Sequence, residues 1–321
     1  MIPWIMSAIA PIAFSASDPW ADVVVSHSAE MSGSGIYNHA TSVLGTPSSI
    51  VFDPVFGVQR PVTLISPAYY LTAVNRAPTV LTVPSGQFVK VRFDEPVEDH
   101  PRNPFGIDLI VFGNAFFLGF EFANPNSDFE SYFLTGAVFD EPITVAVSQS
   151  GEGDPLSHPG EWYVFEPGPI ADGMFPTHAI RWDRVNRELR EQSAFDVPVD
   201  PQLAMEDFGG LSAADAGDRY LCSGGGTGFD LVGTGFAWIQ YVYMTGEGGE
   251  VDALADVFPV LGDFDRDGDV DLRDMAELQS CFGVVYLDAA SCACRPGDVN
   301  GDATVGPADY PDFSAYLDGP R

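Results

Sequence analysis

The amino-acid sequence predicts a mainly β fold, a β-sandwich, followed by a small all-α domain at the C-terminus. Two observations favour the sandwich over residues 18–258: short apolar runs are separated by Gly, Pro, Asn and Asp, and several runs alternate apolar with polar residues. A third observation concerns residues 259–321, where short helical patterns alternate with acidic loops. This change of pattern places a domain boundary near residues 258–262.

Four runs predict strands of the larger domain. The runs FVKVRF and ITVAVS alternate apolar with polar or smaller residues, as half-buried strands do. The runs IDLIVF and FAWIQYVYM are apolar on both faces, which is typical of central strands covered on two sides, although the second can also be divided into two shorter strands. Helical signals are few: Ser212 with Asp215 resembles a capping box, and Pro201 precedes a run typical of one helical turn.

Acidic residues greatly outnumber basic residues. The chain of 321 residues has 46 Asp and Glu against 14 Lys and Arg, which gives a formal net charge of −32. Such a surface repels phosphate backbones and anionic lipid headgroups, so nucleic acid is not an expected partner. The 24 Phe and 11 Tyr are too many for a disordered chain.

Residues 1–17 are predicted to be a secretory signal. The segment is apolar from Ile2 to Phe14 and then gives way to small residues, which form a processing site before Asp18. It lacks a positively charged start, and the alternative is a mature N-terminal strand or tail. No later segment is long and apolar enough to cross a bilayer, so we expect a secreted or cell-surface protein without a transmembrane segment.

The run DFDRDGDVDLRD, residues 263–274, has the spacing of an EF-hand calcium loop. Glycine stands at position 6, where the loop turns sharply, and carboxylates stand at the ligand positions 1, 3, 5 and 12. The expected direct ligands are Asp263, Asp265, Asp267 and Asp274. At position 7, Asp269 is expected to offer its backbone carbonyl and leave its carboxylate free, and Asp271 at position 9 is expected to act through water.

A second loop with the same spacing follows at DVNGDATVGPAD, residues 298–309. Its expected ligands, at positions 1, 3, 5, 7 and 12, are Asp298, Asn300, Asp302, Thr304 and Asp309. We expect the weaker site here, because Ala303 replaces glycine at position 6 and Gly306 offers no side chain at position 9. Pro311 also removes a hydrogen-bond donor early in the following helix.

The two loops are expected to act as a pair. Val270 and Val305, at position 8 of each loop, are the β-branched residues through which such loops pair with a partner loop. The expected cofactor is Ca²⁺, one ion in each loop. The alternative is a solvated acidic turn without metal, which is disfavoured because clustered carboxylates repel each other.

This tandem resembles a dockerin-like domain of bacterial extracellular proteins over residues 261–318. In that family aspartate closes each loop at position 12, as Asp274 and Asp309 do here. Cellulosomal members bind a cohesin partly through positions 10 and 11, which often hold small hydroxylated pairs. Here those positions hold Leu-Arg and Pro-Ala, which argues against a cohesin-like partner.

Three of the four cysteines lie in the tail. A disulfide bond from Cys281 to either Cys292 or Cys294 is expected, because it would close the long connector between the two loops. A zinc site is the alternative, although the cluster lacks a clear fourth ligand. The remaining cysteine, Cys222, lies alone in the larger domain.

The larger domain, over roughly residues 22–258, resembles an uncharacterised family of bacterial cell-surface β proteins. Its segments VAVSQSG, GEWY, IQYVYM and EVDALADV are also similar to galactose-binding-like (discoidin-type) jelly rolls. The resemblances imply a jelly-roll-like β-sandwich that binds glycan or another surface ligand without catalysis. The alternatives are a polysaccharide hydrolase anchored by the tail and a structural or adhesion protein; no G-x-S-x-G, H-E-x-x-H or P-loop motif is present.

Several side chains of the larger domain are candidates for a function. A glycoside hydrolase needs two facing carboxylates, for which the candidates are Asp94, Glu95, Glu121, Asp230 and Asp252. Glu250 and Asp252, in a turn that leads into a strand, are expected to form a structural cation site or a buried polar contact.

The histidines and large aromatic residues are expected to have mainly structural roles. The histidines are scattered singly and are expected in loops or in packing: His27, His39, His100, His158 and His178. Most of the large aromatic residues are expected in the core; the set is Trp162, Trp182, Trp238, Tyr163 and Tyr241. One or two exposed rings beside acidic or amide side chains would stack on a sugar ring if the domain binds glycan.

Overall fold

A computed structural model describes residues 18–33, 35–54, 56–69, 71–72, 76–124, 127–257, 261–264, 269–285, 289–302 and 304–317. For residues 191–192, 285 and 289–292 it describes the backbone alone. The predicted signal and residues 258–260 of the predicted boundary lie outside the described residues. So do residues 265–268 of the first acidic loop, which include the expected ligands Asp265 and Asp267 and the turn residue Gly268, and Ala303 of the second loop.

The described chain is mainly β, as predicted. The strands are β1 Val23–His27, β2 Ile50–Asp53, β3 Val58–Pro61, β4 Leu71–Thr72, β5 Leu81–Thr82, β6 Phe88–Glu98, β7 Leu109–Phe112, β8 Phe116–Gly119, β9 Leu134–Phe139, β10 Ile143–Ser148, β11 Tyr163–Val164, β12 Ile180–Asp183, β13 Glu188–Gln192, β14 Thr227–Phe229, β15 Trp238–Gly246, β16 Glu250–Val251, β17 Ala253–Asp256, β18 Val284–Val285 and β19 Thr304–Val305. The α-helices are α1 Ala213–Asp218, α2 Leu272–Ser280 and α3 Tyr310–Tyr316. Short 3-10 helices span Ala29–Met31, Ala40–Val43, Pro104–Gly106, Met205–Phe208 and Ala289–Gly297.

The largest sheet has five antiparallel strands in the order β1-β6-β15-β10-β11. The alternating run FVKVRF lies in β6, where Val89, Val91 and Phe93 are buried as their spacing predicts. The run FAWIQYVYM contributes the single central strand β15. Only one face of β15 is fully buried; on the other face Tyr241 and Tyr243 are half-buried, beside Gly151 and Trp162 of the connection between β10 and β11. The expectation that this run is covered on both faces is therefore only partly met.

A three-stranded antiparallel sheet, β14-β7-β17, packs against the five-stranded sheet. Its central strand β7 comes from the run IDLIVF, and all four of its residues are buried. Leu109 and Val111 belong to the apolar core shared with β6, β10 and β15. Ile110 and Phe112 belong to a second core on the opposite face. The prediction that this strand is covered on two sides is confirmed.

The few predicted helical segments form. Ser212 caps α1: its Oγ accepts a hydrogen bond from the Asp215 N–H at 3.1 Å. The run after Pro201 contributes the short 3-10 helix Met205–Phe208. Among the described residues, no helix combines the length and the apolar character that a membrane span requires.

The tail contains α2, α3, a 3-10 helix and the strand pair β18-β19, so it is not entirely helical. Its small core includes Val270, Leu278 and Phe313. The tail contacts the larger domain, where Leu221 packs against this core and the Arg102 guanidinium lies 5.3 Å from the centre of the Tyr316 ring.

The disulfide bond of the tail joins Cys281 to Cys294, with a Cα–Cα distance of 5.4 Å. This bond decides between the two predicted partners of Cys281. It also removes the alternative zinc site, because two of the three thiols are not free to bind a metal. Cys222 is disulfide-bonded as well, whereas the Cys292 side chain lies outside the described residues.

Candidate functional site

The second acidic loop is organised by hydrogen bonds between its own side chains and backbone. The Asp302 N–H donates to Oδ1 of Asp298 and to Oδ1 of Asn300, each at 2.9 Å. The Thr304 N–H donates to Oδ1 of Asp302, also at 2.9 Å. The expected ligands at positions 1, 3 and 5 are therefore gathered around one backbone segment, as an EF-hand loop requires.

Asp309, at position 12, closes this loop. Its side chain is fully buried, and its Oδ1 accepts hydrogen bonds from the N–H groups of Val299 at 3.0 Å and Asn300 at 3.2 Å. Its Oδ2 accepts a hydrogen bond from the Gly306 N–H at 2.8 Å. A carboxylate is tolerated in such a buried place only when its oxygens are hydrogen-bonded. Asp309 therefore ties the start of the loop to its end.

The first loop holds its position-12 residue in a similar way. Asp274 is fully buried, and it accepts hydrogen bonds from the N–H groups of Phe264 at 2.7 Å and Asp271 at 2.8 Å. Asp263, at position 1, is also fully buried. Asp271 accepts a hydrogen bond from the Arg273 N–H at 2.6 Å and caps α2. The acidic loop thus leads directly into a capped helix.

The carboxylate of Asp269 differs from its expected position. It was expected to be free, but the side chain is buried, and one oxygen each of Asp269, Asp271 and Asp274 lie within 4.8 Å of one another. The EF-hand register specifies only the backbone carbonyl at position 7. The spacing therefore contains no information about the direction of this side chain.

Two further expectations concern Val305 and Pro311. The strand pair that the structure describes joins Val305 to Val284, which follows α2, although Val270 and Val305 do share the same apolar core. Pro311 is the second residue of α3. A residue in the first helical turn has no intrahelical acceptor for its N–H, so this proline removes no helix hydrogen bond.

The five carboxylates proposed for hydrolysis have separate surroundings. Asp94 is exposed and paired with Arg92 at 2.5 Å, and Asp230 accepts a hydrogen bond from the Val232 N–H at 2.7 Å. Glu95 and Glu121 are exposed. None of the five belongs to the groups of three converging acidic side chains found among the described residues.

The predicted pair Glu250 and Asp252 is divided between two environments. Asp252 forms a buried polar contact, because it accepts hydrogen bonds from the N–H of Ser48 at 2.8 Å and from its Oγ at 3.0 Å. Burial raises the pKa of Asp252 to about 7, although the Ser48 bonds act in the opposite direction. Glu250 lies beside Glu141, and burial together with that second carboxylate raises the pKa of Glu250.

His178 has the packing role that was expected for it. Its ring is 1% exposed, and Nδ1 accepts a hydrogen bond from the Leu64 N–H at 3.3 Å. Burial, with a smaller contribution from the charge of Arg181, lowers the pKa of His178 to about 3. The ring is therefore neutral, since the protonated form would place a second cation in the core.

Trp238 is an exposed ring of the kind that sequence reasoning anticipated for a sugar-binding face. It is 37% exposed at the start of β15, opposite Glu98 of β6 and two residues before Gln240. Trp162 is buried, and Trp182 stacks on Phe129 with ring centres 5.4 Å apart. The expectation that most of the five aromatic residues lie in the core is therefore wrong: only Trp162 is buried, Trp182 and Tyr241 are half-buried, and Tyr163 is 36% exposed. Burial of each ring depends on tertiary packing, about which aromatic composition contains no information.

Comparison with known proteins does not assign the chain to a family. No protein-family model matches it, and no curated protein matches its sequence. The acidic loops of the tail and the outward face around Trp238 offer side-chain chemistry on which a function can be based.

Proposed function

We propose that this chain is a secreted or cell-surface calcium-binding protein whose dockerin-like tail binds Ca²⁺ through both acidic loops. One observation carries the proposal: Asp274 and Asp309, the closing residues of the two loops, are fully buried and accept backbone N–H bonds from other residues of their own loops. Such closure draws the remaining side-chain oxygens around a common centre, where a cation offsets their mutual repulsion.

The chemistry of the donors favours calcium. The candidate ligands are carboxylate, amide, hydroxyl and backbone oxygens, which suit hard cations, and the irregular loop geometry suits Ca²⁺ better than Mg²⁺. An ion that binds only the folded tail stabilises it by about 2.7 kcal/mol when free Ca²⁺ is a hundred times its dissociation constant. Calcium would thus support a tail whose apolar core is small.

The disulfide chemistry supports the proposed location outside the cytoplasm. Cys281 is bonded to Cys294, and Cys222 is also disulfide-bonded. Such bonds form and persist in oxidising compartments and are rare in the cytosol. The strongly acidic composition is compatible with a calcium-rich setting.

The calcium proposal can be tested with the metal-stripped full-length chain by calorimetric titration. Asp302→Asn removes an exposed carboxylate at position 5 of the second loop, and Asp312→Asn removes an exposed carboxylate just outside it. We expect Asp302→Asn to weaken one class of site at least about tenfold, whereas Asp312→Asn leaves the titration unchanged. Equal titrations for both variants and the unaltered chain would refute calcium binding by this loop.

We further propose that the larger domain is a jelly-roll-like sandwich that binds glycan on the outward face around Trp238. The indole ring offers an apolar surface for a sugar ring, and Glu98 and Gln240 beside it offer hydrogen-bond partners for hydroxyl groups. The two sheets packed over a shared apolar core support the sandwich architecture.

A glycan array probed with and without Ca²⁺ tests this second part. Trp238→Ala removes the proposed stacking ring, and Tyr163→Ala is the matched control, because Tyr163 is 36% exposed on the edge strand of the same sheet. Binding should be lost in Trp238→Ala and kept in Tyr163→Ala. Retained binding in Trp238→Ala would place the ligand elsewhere.

A further inference from the structure

We propose that the larger domain contains a cation site of its own, in which Glu141, Asp172 and Glu250 bind a divalent cation of the calcium class. Glu141 precedes β10, Asp172 lies between β11 and β12, and Glu250 begins β16. One oxygen from each side chain lies within 4.8 Å of the other two. The site shares no residue with the tail, so it does not depend on the calcium loops proposed there.

Asp172 is the fixed centre of this group. Its side chain is 2% exposed, and Oδ1 accepts a hydrogen bond from the Ala115 N–H while Oδ2 accepts one from the Glu250 N–H, both at 2.8 Å. Gly113 packs so closely against this carboxylate that a Cβ atom there would overlap it.

One buried oxygen of this group has no hydrogen-bond donor. Glu250 is 9% exposed; its Oε1 accepts a hydrogen bond from Thr82 Oγ1 at 2.9 Å, whereas its Oε2 is buried without a donor. Buried oxygens without a partner cost about 1–3 kcal/mol each and are rare in proteins.

In the part of the chain that the structure describes, no ion pair compensates the three carboxylates. The ion pairs of Lys, Arg and His found there involve other acids. A proton shared between Glu141 and Glu250 would relieve their repulsion, but it would leave Asp172 without a compensating cation. A divalent cation offers positive charge to all three carboxylates at once.

The donor set indicates the class of cation. All candidate ligands are oxygens, which hard cations prefer, and they come from separate segments without octahedral symmetry. Oxygens on opposite sides of one Ca²⁺ ion are about 5 Å apart, which is compatible with the spacing of the group. Because Glu141 is half-buried, water can complete the coordination from its side. The ion would tie β10 and β16 to the loop that carries Asp172.

The site can be tested by calcium titration of the metal-stripped full-length chain. Glu250→Gln keeps the shape of the side chain and removes its charge, and the matched control is Glu247→Gln, because Glu247 is exposed three residues earlier in the same turn. We expect Glu250→Gln to bind about one Ca²⁺ fewer than the unaltered chain, and Glu247→Gln to bind the same number. In chelator, the thermal midpoint of Glu250→Gln should equal or exceed that of the unaltered chain, because one of three repelling charges is gone.

Two further variants, Glu141→Gln and Asp302→Asn, make the calcium titration conclusive. If Glu250→Gln does not fold, Glu141→Gln replaces it, since Glu141 is only half-buried and its loss should also remove about one bound ion. Asp302→Asn, in the tail, should leave this ion in place, which separates failure of this site from failure of the tail loops. If Glu250→Gln, Glu141→Gln and the unaltered chain bind the same number of Ca²⁺ ions, the three carboxylates are held by a shared proton and bind no metal ion. That result would overturn the proposal.

Discussion

The acidic side chains of the tail and those of the larger domain come together in different ways. In the tail, the candidate ligands of each loop lie within twelve consecutive residues, and in the second loop hydrogen bonds inside the loop gather Asp298, Asn300 and Asp302. In the larger domain, Glu141, Asp172 and Glu250 come from three separate segments, and only the packing of the sheets makes them neighbours. A local site therefore depends on one loop, whereas the other depends on the whole domain.

The two regions also differ in the size of their apolar cores. The larger domain has layers of buried Val, Leu, Ile and Phe on both faces of β7. The tail has a core of a few residues and a disulfide bond between Cys281 and Cys294. A small core needs support from cross-links or metal ions. Changes at the loops should therefore open the tail and leave the larger domain folded.

The largest effect is expected for Asp309→Ala. The substitution leaves three backbone N–H groups without their acceptor and removes a ligand, so the tail should lose about 3 kcal/mol or more of stability even in Ca²⁺. Hydrogen exchange should show the tail opening, while tryptophan fluorescence of the larger domain stays unchanged. Asp312→Ala, at an exposed position, is the control. If the tail of Asp309→Ala is as well protected from hydrogen exchange as the tail of Asp312→Ala, the stability of the tail does not depend on its loops as this comparison requires.

Removal of the disulfide bond should also affect the tail alone. The Cys281→Ser and Cys294→Ser double variant reopens a loop with a sequence separation of 13, which corresponds to about 3 kcal/mol by chain entropy. Hydrogen exchange in chelator should therefore be faster throughout the tail, and Ca²⁺ should restore part of the protection. Unaltered exchange in chelator would mean that the bond does not support the tail.

The free energy of unfolding of the larger domain should depend on pH through His178, a residue that has no counterpart in the tail. The pKa of His178 is lowered to about 3 in the folded state, so the unfolded state binds a proton that the folded state excludes. The stability from this group is present above about pH 6.5 and falls by about 1.4 kcal/mol per pH unit below it, or about 2 kcal/mol at pH 5. His178→Asn keeps an acceptor for the Leu64 N–H. Other groups such as Asp252, whose pKa is raised, act in the opposite direction, so the effect of His178 is the difference between the unaltered chain and His178→Asn. This difference in the free energy of unfolding should change by about 2 kcal/mol between pH 6.5 and pH 5, in urea unfolding followed by tryptophan fluorescence. The matched control is His158→Asn, an exposed histidine, and a slope shared by all three chains would exclude His178 as its source.

The smallest effect is expected from making the second loop more like the first. A side chain at Gly306 would meet no atom within 4 Å, so Gly306→Asp can place a carboxylate at position 9. We expect tighter calcium binding by about 1 kcal/mol, or about fivefold, because Asp271 occupies the same position in the first loop and also caps its helix. Gly306→Ala adds a side chain without a ligand and should not strengthen binding. Equal gains from both variants would point to backbone rigidity as the cause.

Much of the fold was predictable because strand periodicity is a local property. The alternation in FVKVRF identified Val89, Val91 and Phe93 as buried residues of β6, although Lys90 is buried too, and the uniformly apolar run at β7 indicated cover on both faces. The half-buried face of β15 was not predictable, because Trp162, which lies against Tyr243 on this face, is distant from it in sequence. The disulfide partner of Cys281 was not predictable either, because Cys292 and Cys294 are separated by one residue and either could close the connector.

The sequence by itself determined the acidic loops of the tail, because their spacing places the oxygens, the turn and the following helix within one short segment. It also determined the alternation that buries one face of each regular strand. Only the tertiary structure decided that Asp269 turns inward, that Asp252 contacts Ser48, and that Glu250 meets Glu141 and Asp172. These contacts join segments far apart in the chain, and their positions depend on how the sheets pack.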